Sequence, residues 1–231
     1  MSNVNHLPVT LKNHYIIARH GFSLANDAGI VCSDPKIAIP AEGGPLGTGY
    51  GLHDKGKKQV KESATLLAKH LFGQGKYTGD DDEPVKIFCS PFKRTVETAA
   101  IIRDTLNELV FTEKGAVAPA EHAYALRERY FGDFDMKPDS TYDIVWEEDN
   151  SAPDHGENSQ YNVESPSSVC DRATRFIVEE IENKMQGKTV VLVCHGDICQ
   201  ITLCAAAQVE PWRQREVKHV NTAEWRDFAD L

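Results

Sequence analysis

The 231-residue sequence has no CxxC pair, no long uncharged apolar run and no surplus of basic residues. Each absence removes a class of protein. The six cysteines (Cys32, Cys89, Cys170, Cys194, Cys199 and Cys204) are scattered, and several lie in apolar runs. That pattern suits reduced, buried thiols rather than a disulfide framework. No stretch is apolar enough for long enough to span a membrane. The opening MSNVNHLPVT lacks the apolar core of a secretory signal, and Ser at the second position excludes N-myristoylation. A formal net charge of −10 argues against a broad nucleic-acid surface. Neither an HExxH run nor a Cys/His cluster points to a metal, and nothing calls for a cofactor. Internal repeats and low-complexity linkers are missing too. The expectation is a cytoplasmic protein with no nucleic-acid or membrane partner.

The chain is long enough to bury a core, with 41% hydrophobic and 26% charged residues. Residues 15–18 (YIIA), 85–91 (VKIFCSP) and 189–194 (TVVLVC) read as short buried strands. Helices are predicted between them. One runs from Asp54 to Phe72, with Val60, Ala64, Leu67 and Leu71 on one face and Gly73 closing it. A second starts with Ser90 as N-cap and Pro91 in the first position. A third begins at Ser165–Pro166, buries Val169, Ala173, Phe176, Ile177 and Ile181, and ends at Gly187. A fourth follows HGD, with Asp197 as N-cap. Strands alternating with helices predict a single α/β domain over residues 1–231. Its architecture should be a three-layer αβα sandwich with a mostly parallel central sheet. Residues 27–51 and 129–165 read as loop insertions capping it. PAEGGPLGTGYG (40–51) could serve as a lid or as plain surface loop. The acidic run TGDDDEP is a solvated turn.

The same event occurs three times: a buried strand ends and a cationic or titratable residue follows. These are Arg19–His20, Ser90 to Arg94, and His195–Gly196. Ligands of open parallel sheets bind beyond the carboxyl ends of the strands. Neighbouring strands would bring two histidines and two arginines into one crevice, where helix N-termini also favour an anion. An acidic protein that binds an anion needs such a local cationic pocket.

These motifs, in this order, resemble the histidine phosphatase superfamily, the phosphoglycerate-mutase-like branch. RHGFSLAN resembles the family's RHG-x-[ST]-x-x-N signature and supplies Arg19, His20, Ser23 and Asn26. LHDKGKKQ resembles L-[ST]-x-x-G-x-x-Q. SPFKRTVETA resembles S-x-x-x-R-[TA]-x-x-T-A and supplies Arg94. LRERYFGDF resembles the segment with the acid/base glutamate, here Glu128, and VLVCHGD supplies His195. The resemblance covers roughly residues 14–210. Phe22 departs from it, standing where the family usually has Glu or Gln. Glu128 lies 67 positions before His195, a spacing that resembles the phosphatases, whereas the Glu128–Arg129 pair resembles the mutases.

The resemblance implies phosphoryl transfer without a metal. His20 would be the nucleophile that forms a phosphohistidine. Arg19 and Arg94 would clamp the phosphoryl oxygens bidentately. His195 would donate to them as charge builds. Asn26, Ser23 and the backbone N–H of Gly196 would complete the cradle, and Arg129 would contact substrate. Glu128 would protonate the leaving oxygen and then deprotonate water, a role that needs a raised pKa.

Plainer readings stand beside these. His20 could be a packing residue, Ser23 a turn cap, Arg94 a surface ion-pair partner of Glu97, and Glu128 part of a solvated loop. The other histidines (His6, His14, His53, His70, His122, His155 and His219) are assigned to structure or surface. The leading expectation is a phosphomonoesterase for a small phosphorylated metabolite. A phosphoglycerate-mutase-type transferase and a non-catalytic phospholigand-binding module are the alternatives. The C-terminal VKHVNTAEWRDFADL could support a homodimer.

Overall fold

Three short apolar runs become three parallel strands in the computed structural model, which describes residues 7–40, 49–73, 75–79, 81–111, 116–151 and 159–231. They are β1 (His14–Arg19), β2 (Val85–Cys89) and β4 (Thr189–Cys194). The strand order is β3-β2-β4-β1-β5, with β3 (Glu121–His122) parallel to β2 and β5 (Trp225–Asp227) antiparallel to β1. The sheet is mixed but mostly parallel. Its side chains alternate faces as a pleat requires. Ile16, Ala18, Ile87, Cys89, Val191 and Val193 pack against α3 (Asp54–Phe72) and α4 (Lys93–Leu109). Tyr15, Ile17, Phe88, Val190, Leu192 and Cys194 pack against α6 (Pro166–Phe176) and α7 (Gly196–Ala206). The three-layer αβα expectation holds.

Register is what builds the site. Arg19 on β1 is level with Cys194 on β4, and Cys89 on β2 is level with Val193. The carboxyl ends of the three strands therefore finish together. The next residues, His20, Ser90 and His195, emerge side by side.

Several boundaries differ from expectation, each for a tertiary reason. Helix α4 starts at Lys93 with Phe92 in the cap position, two residues after Pro91. The Ser90 hydroxyl accepts the Phe92 N–H at 3.3 Å and turns to His195. Helix α7 is capped by His195, so Asp197 sits inside its first turn and reaches into a buried ion-pair cluster. Helix α6 continues as a π-helical segment, Ile177–Glu182, and stops before Gly187. That segment places Glu182 where it accepts from Tyr15 Oη at 2.7 Å and from the Lys12 N–H at 2.7 Å. Gly187 has φ +71° in the connection to β4.

The expected insertions hold more order than their composition suggested. Residues 27–51 include the end of α1 (Leu24–Asp27) and all of α2 (Pro35–Ala38). Val31 N–H donates to Lys137 O at 2.9 Å, and Met136 N–H to Val31 O at 2.8 Å, so this segment is tied to residues 136–138. The lid expectation for PAEGGPLGTGYG falls mainly on residues 41–48, outside the described residues. The 129–165 stretch carries α5 (Tyr142–Ser151). The C-terminal segment supplies β5 and thereby covers the β1 edge within its own chain. All six cysteines are buried. Among the described residues no helix is long and apolar enough to cross a membrane.

Candidate active site

The turn after β1 is held by three elements. His20 N–H donates to Cys194 O at 3.0 Å, and Gly21 N–H to Thr98 Oγ1 on α4 at 3.2 Å. Phe22 N–H donates to Gln59 Oε1 on α3 at 3.2 Å. The close approach of α3 needs glycine on both sides. A Cβ on Gly21 would lie 2.7 Å from Gly56 O, and one on Gly56 would lie 2.0 Å from Phe22 O. LHDKGKKQ and SPFKRTVETA therefore act partly by fixing RHG.

His20 is 3% exposed, and its two ring nitrogens have distinct roles. Nδ1 lies 2.8 Å from Gly21 O, a carbonyl that can only accept, so Nδ1 carries the proton. The neutral ring then presents its lone pair at Nε2, which accepts from Arg94 Nε at 3.1 Å. Burial, then the charges of Arg94 and Arg19, hold the imidazole well below its ordinary pKa. His20 is a neutral base whose free nitrogen is aimed at a guanidinium.

His195 lies beside it, with ring centroids 5.2 Å apart. Its Nε2 is 2.8 Å from Ser90 Oγ. Ser90 Oγ already accepts from Phe92 N–H, so its own proton is free to go to His195 Nε2. That tautomer leaves Nδ1 as an N–H donor. Burial, Arg94 and His20 hold His195 neutral as well.

Both arginines are anchored at one end and open at the other. Arg94 is 4% exposed, and its Nη2 donates to Cys32 O at 2.9 Å. It is not an ion-pair partner of Glu97, whose carboxylate instead accepts the Leu52 N–H at 2.6 Å. Arg19 Nη1 donates to Val220 O at 2.9 Å and to His219 Nε2 at 3.2 Å. Arg19 Nε, Arg94 Nη1 and His195 Nδ1 are buried without a partner. Each such group costs about 1–3 kcal/mol unless something accepts from it. Gly196 belongs to the same cradle. A Cβ there would lie 3.3 Å from Arg19 Cζ, so the helix start packs against the guanidinium.

Glu128 is 8% exposed and its Oε1 accepts the Arg129 N–H at 2.9 Å. Burial and then the charge of Asp197 push its pKa from 4.5 to about 7, against the pull of Arg94 and Arg19. The acidic neighbourhood comes from a buried cluster. Arg129 grips Asp149 at 2.7 and 2.6 Å and reaches Asp197 at 3.2 Å. Gln214 Nε2 donates to both carboxylates, and Trp146 Nε1 to Asp197 at 3.3 Å.

The expected site residues divide accordingly. His20, His195, Arg19, Arg94, Gly196 and Glu128 come together. Ser23 and Asn26 form the capping box of α1, where Ser23 Oγ accepts the Asn26 N–H at 3.2 Å and Asn26 Oδ1 accepts the Ser23 N–H at 3.0 Å. Only the Asn26 Nδ2 donor is left over. Arg129 is fully buried in its ion pairs and is not brought into the pocket. Three contributors were given no site role from the sequence. Ser90 and Asp197 read as helix caps, and His219 sits in a polar stretch with no period.

A family model described as histidine phosphatase superfamily (branch 1) matches residues 15–226. The chain belongs to the histidine phosphatase superfamily. This membership supports a phosphatase. Solved structures share the superfamily fold at low identity. A mycobacterial glucosyl-3-phosphoglycerate phosphatase in complex with VO3 aligns at 17% identity and TM-score 0.64, covering 93% of this chain and 90% of that one. A putative alpha-ribazole-5'-P phosphatase from Escherichia coli aligns at 18% identity and TM-score 0.60, covering 93% and 89%. YhfR of Bacillus stearothermophilus aligns at 19% identity and TM-score 0.63, covering 93% and 90%. No curated protein sequence matches the chain significantly.

Proposed function

We propose that the protein is a phosphomonoester hydrolase that works through a phosphohistidine at His20, with charge supplied by side chains rather than by a metal. The observation that carries this is the arrangement around His20. A neutral Nε2 lone pair meets Arg94 Nε at the strand ends, where three buried nitrogens lack partners, on Arg19, Arg94 and His195. A tetrahedral dianion satisfies all three and presents its phosphorus to Nε2.

On binding, Arg94 Nε–H passes from His20 Nε2 to a phosphoryl oxygen, which frees the lone pair. Nε2 attacks phosphorus, the P–N bond forms and the P–O ester bond breaks. Arg19, Arg94 and His195 hold the equatorial oxygens, whose charge they offset in a water-poor site. Glu128, protonated below its pKa of about 7, gives its proton to the leaving oxygen. The resulting carboxylate takes a proton from water, and the water oxygen attacks the phosphohistidine. The P–N bond breaks, phosphate leaves, and His20 and Glu128 return to their starting states.

The Glu128–Arg129 pair that favoured a mutase has its guanidinium engaged by Asp149 and Asp197, which makes hydrolysis the better supported reading. The test is p-nitrophenyl phosphate hydrolysis in EDTA by wild type and His20→Ala. Turnover that survives chelation and vanishes in the variant is expected. Turnover that persists in His20→Ala contradicts the proposal.

A further inference from the structure

Arg215 lies over Trp146 beside this site, with no carboxylate partner among the described residues. Its guanidinium carbon lies 3.8 Å over the Trp146 ring, a distance at which cation–π attraction and stacking fix the plane. Its one hydrogen bond runs from Nη1 to Gln200 Oε1 at 3.4 Å, and among the described residues it has no carboxylate partner. The nearby acids are already committed. Asp197 accepts from Arg129, Trp146 and Gln214. Glu224 pairs with Arg226 at 2.6 Å and accepts the Asn221 N–H at 2.7 Å. Apart from Arg19 and Arg94 in the phosphate pocket, the other described arginines are laced to acids, as Arg213 is to Glu210 and Glu216. A half-buried arginine held over an aromatic ring, with no counter-ion among the described residues, is set up to bind one.

Its position ties it to the phosphate pocket from two sides. On one side, His219 Nε2 accepts from Arg19 Nη1 at 3.2 Å, and burial and then the charges of Arg19 and Arg215 hold its imidazole below the ordinary pKa, so two guanidiniums flank an uncharged ring. On the other, Trp146 stacks on Tyr142 at 5.4 Å and 10°. Tyr142 in turn lies within electrostatic reach of Glu128, Arg94 and Arg19. Trp146 also donates to Asp197, whose charge acts on Glu128, so Arg215 lies on the Glu128 side of the site.

We propose that Arg215 is a specificity residue that binds a second anionic group on the substrate, a carboxylate or a second phosphate, so that the preferred substrates are phosphomonoesters of anionic alcohols. The proposal rests on the phosphomonoesterase reading above, and its test separates the two. The protein is assayed on matched pairs that differ only in the second charge. Phosphoglycolate is set against hydroxyethyl phosphate, and 3-phosphoglycerate against glycerol phosphate. The symmetric bisphosphate of propanediol is set against its monophosphate. The readout is the ratio of kcat/KM within each pair, for wild type, Arg215→Gln and Arg215→Lys.

Wild type is expected to favour at least one anionic member by about ten- to hundredfold, the size of one charge-assisted hydrogen bond. Arg215→Gln should bring that ratio close to one, and Arg215→Lys should restore part of it. Because each ratio is internal, a loss of folded protein cancels. A preference confined to the acid pairs assigns the group as a carboxylate, and one confined to the bisphosphate pair assigns it as a phosphate. Ratios near one in wild type, or ratios that Arg215→Gln leaves intact, overturn the inference. His20-dependent hydrolysis of p-nitrophenyl phosphate alongside them would leave the phosphatase reading standing. If no ester turns over, that reading fails, and affinities for the same pairs by calorimetry test Arg215 alone.

Discussion

Replacing Glu128 with Gln should make the enzyme worse and the fold more stable at alkaline pH. The glutamate is buried beside Asp197, and its pKa moves from 4.5 to about 7 on folding. At 1.36 kcal/mol per pKa unit, this is about 3 kcal/mol against the charged form. The sign follows from proton binding. Between pH 4.5 and 7 the folded state holds the proton and the unfolded state has released it, so stability falls as pH rises through this window. Above it the wild type carries the whole cost. Gln keeps the acceptor for the Arg129 N–H and never ionises. Urea denaturation at pH 5 and pH 8 should therefore show Glu128→Gln gaining up to about 3 kcal/mol on wild type at the higher pH, and much less at the lower. Activity should move the other way. Turnover of alkyl phosphates should drop by about 10²–10⁴. Turnover of p-nitrophenyl phosphate, whose leaving group departs without a proton, should drop far less. A variant that is no more stable than wild type at pH 8, or equal losses on both esters, would refute the reasoning.

Three further outcomes follow from the same geometry. Asp197→Asn removes a charge that raises the Glu128 pKa, so the alkaline limb of the pH–rate profile should move to lower pH; a shift to higher pH contradicts the assignment. Ser90→Ala removes the hydroxyl bonded to His195 Nε2, at a cost of about 0.5–1.5 kcal/mol, and should lower kcat several-fold while thermal unfolding still shows a folded protein. Gly56→Ala forces a Cβ to 2.0 Å from Phe22 O and should destabilise the fold by about 1–3 kcal/mol or more, read as a lowered Tm; an unchanged Tm means that the α3–RHG contact is looser than described.

The parts that the sequence made legible are those whose causes are local. β1, β2 and β4 each carry a mostly apolar run, broken only by Lys86 in β2, because both faces of a central strand are covered. Helix α3 keeps its period because one face packs and the other is solvated. The site residues at the strand ends followed from the same signal. What stayed hidden depends on distant partners. Strands β3 and β5, two and three residues long, are too short for alternation to register and exist because β2 and β1 offer them an edge. Helix α5 buries Asp149 against Arg129 and stacks Tyr142 on Trp146, so its inner face does not read as apolar. Ser90 and Asp197 fit cap positions by residue type, yet His195 and Arg129 claim their side chains. Nothing within the neighbouring sequence of His219 announces that Val220 and His219 together hold Arg19.

The central claim is the covalent bond at His20 Nε2. The most direct measurement is acid-free rapid quench of the enzyme with a phosphomonoester during turnover, followed by peptide mass spectrometry. One phosphoryl group on the peptide bearing His20, labile to acid and absent from His20→Ala, is the predicted result. A phosphoryl group on another residue, or full turnover in His20→Ala with no adduct, would contradict the account.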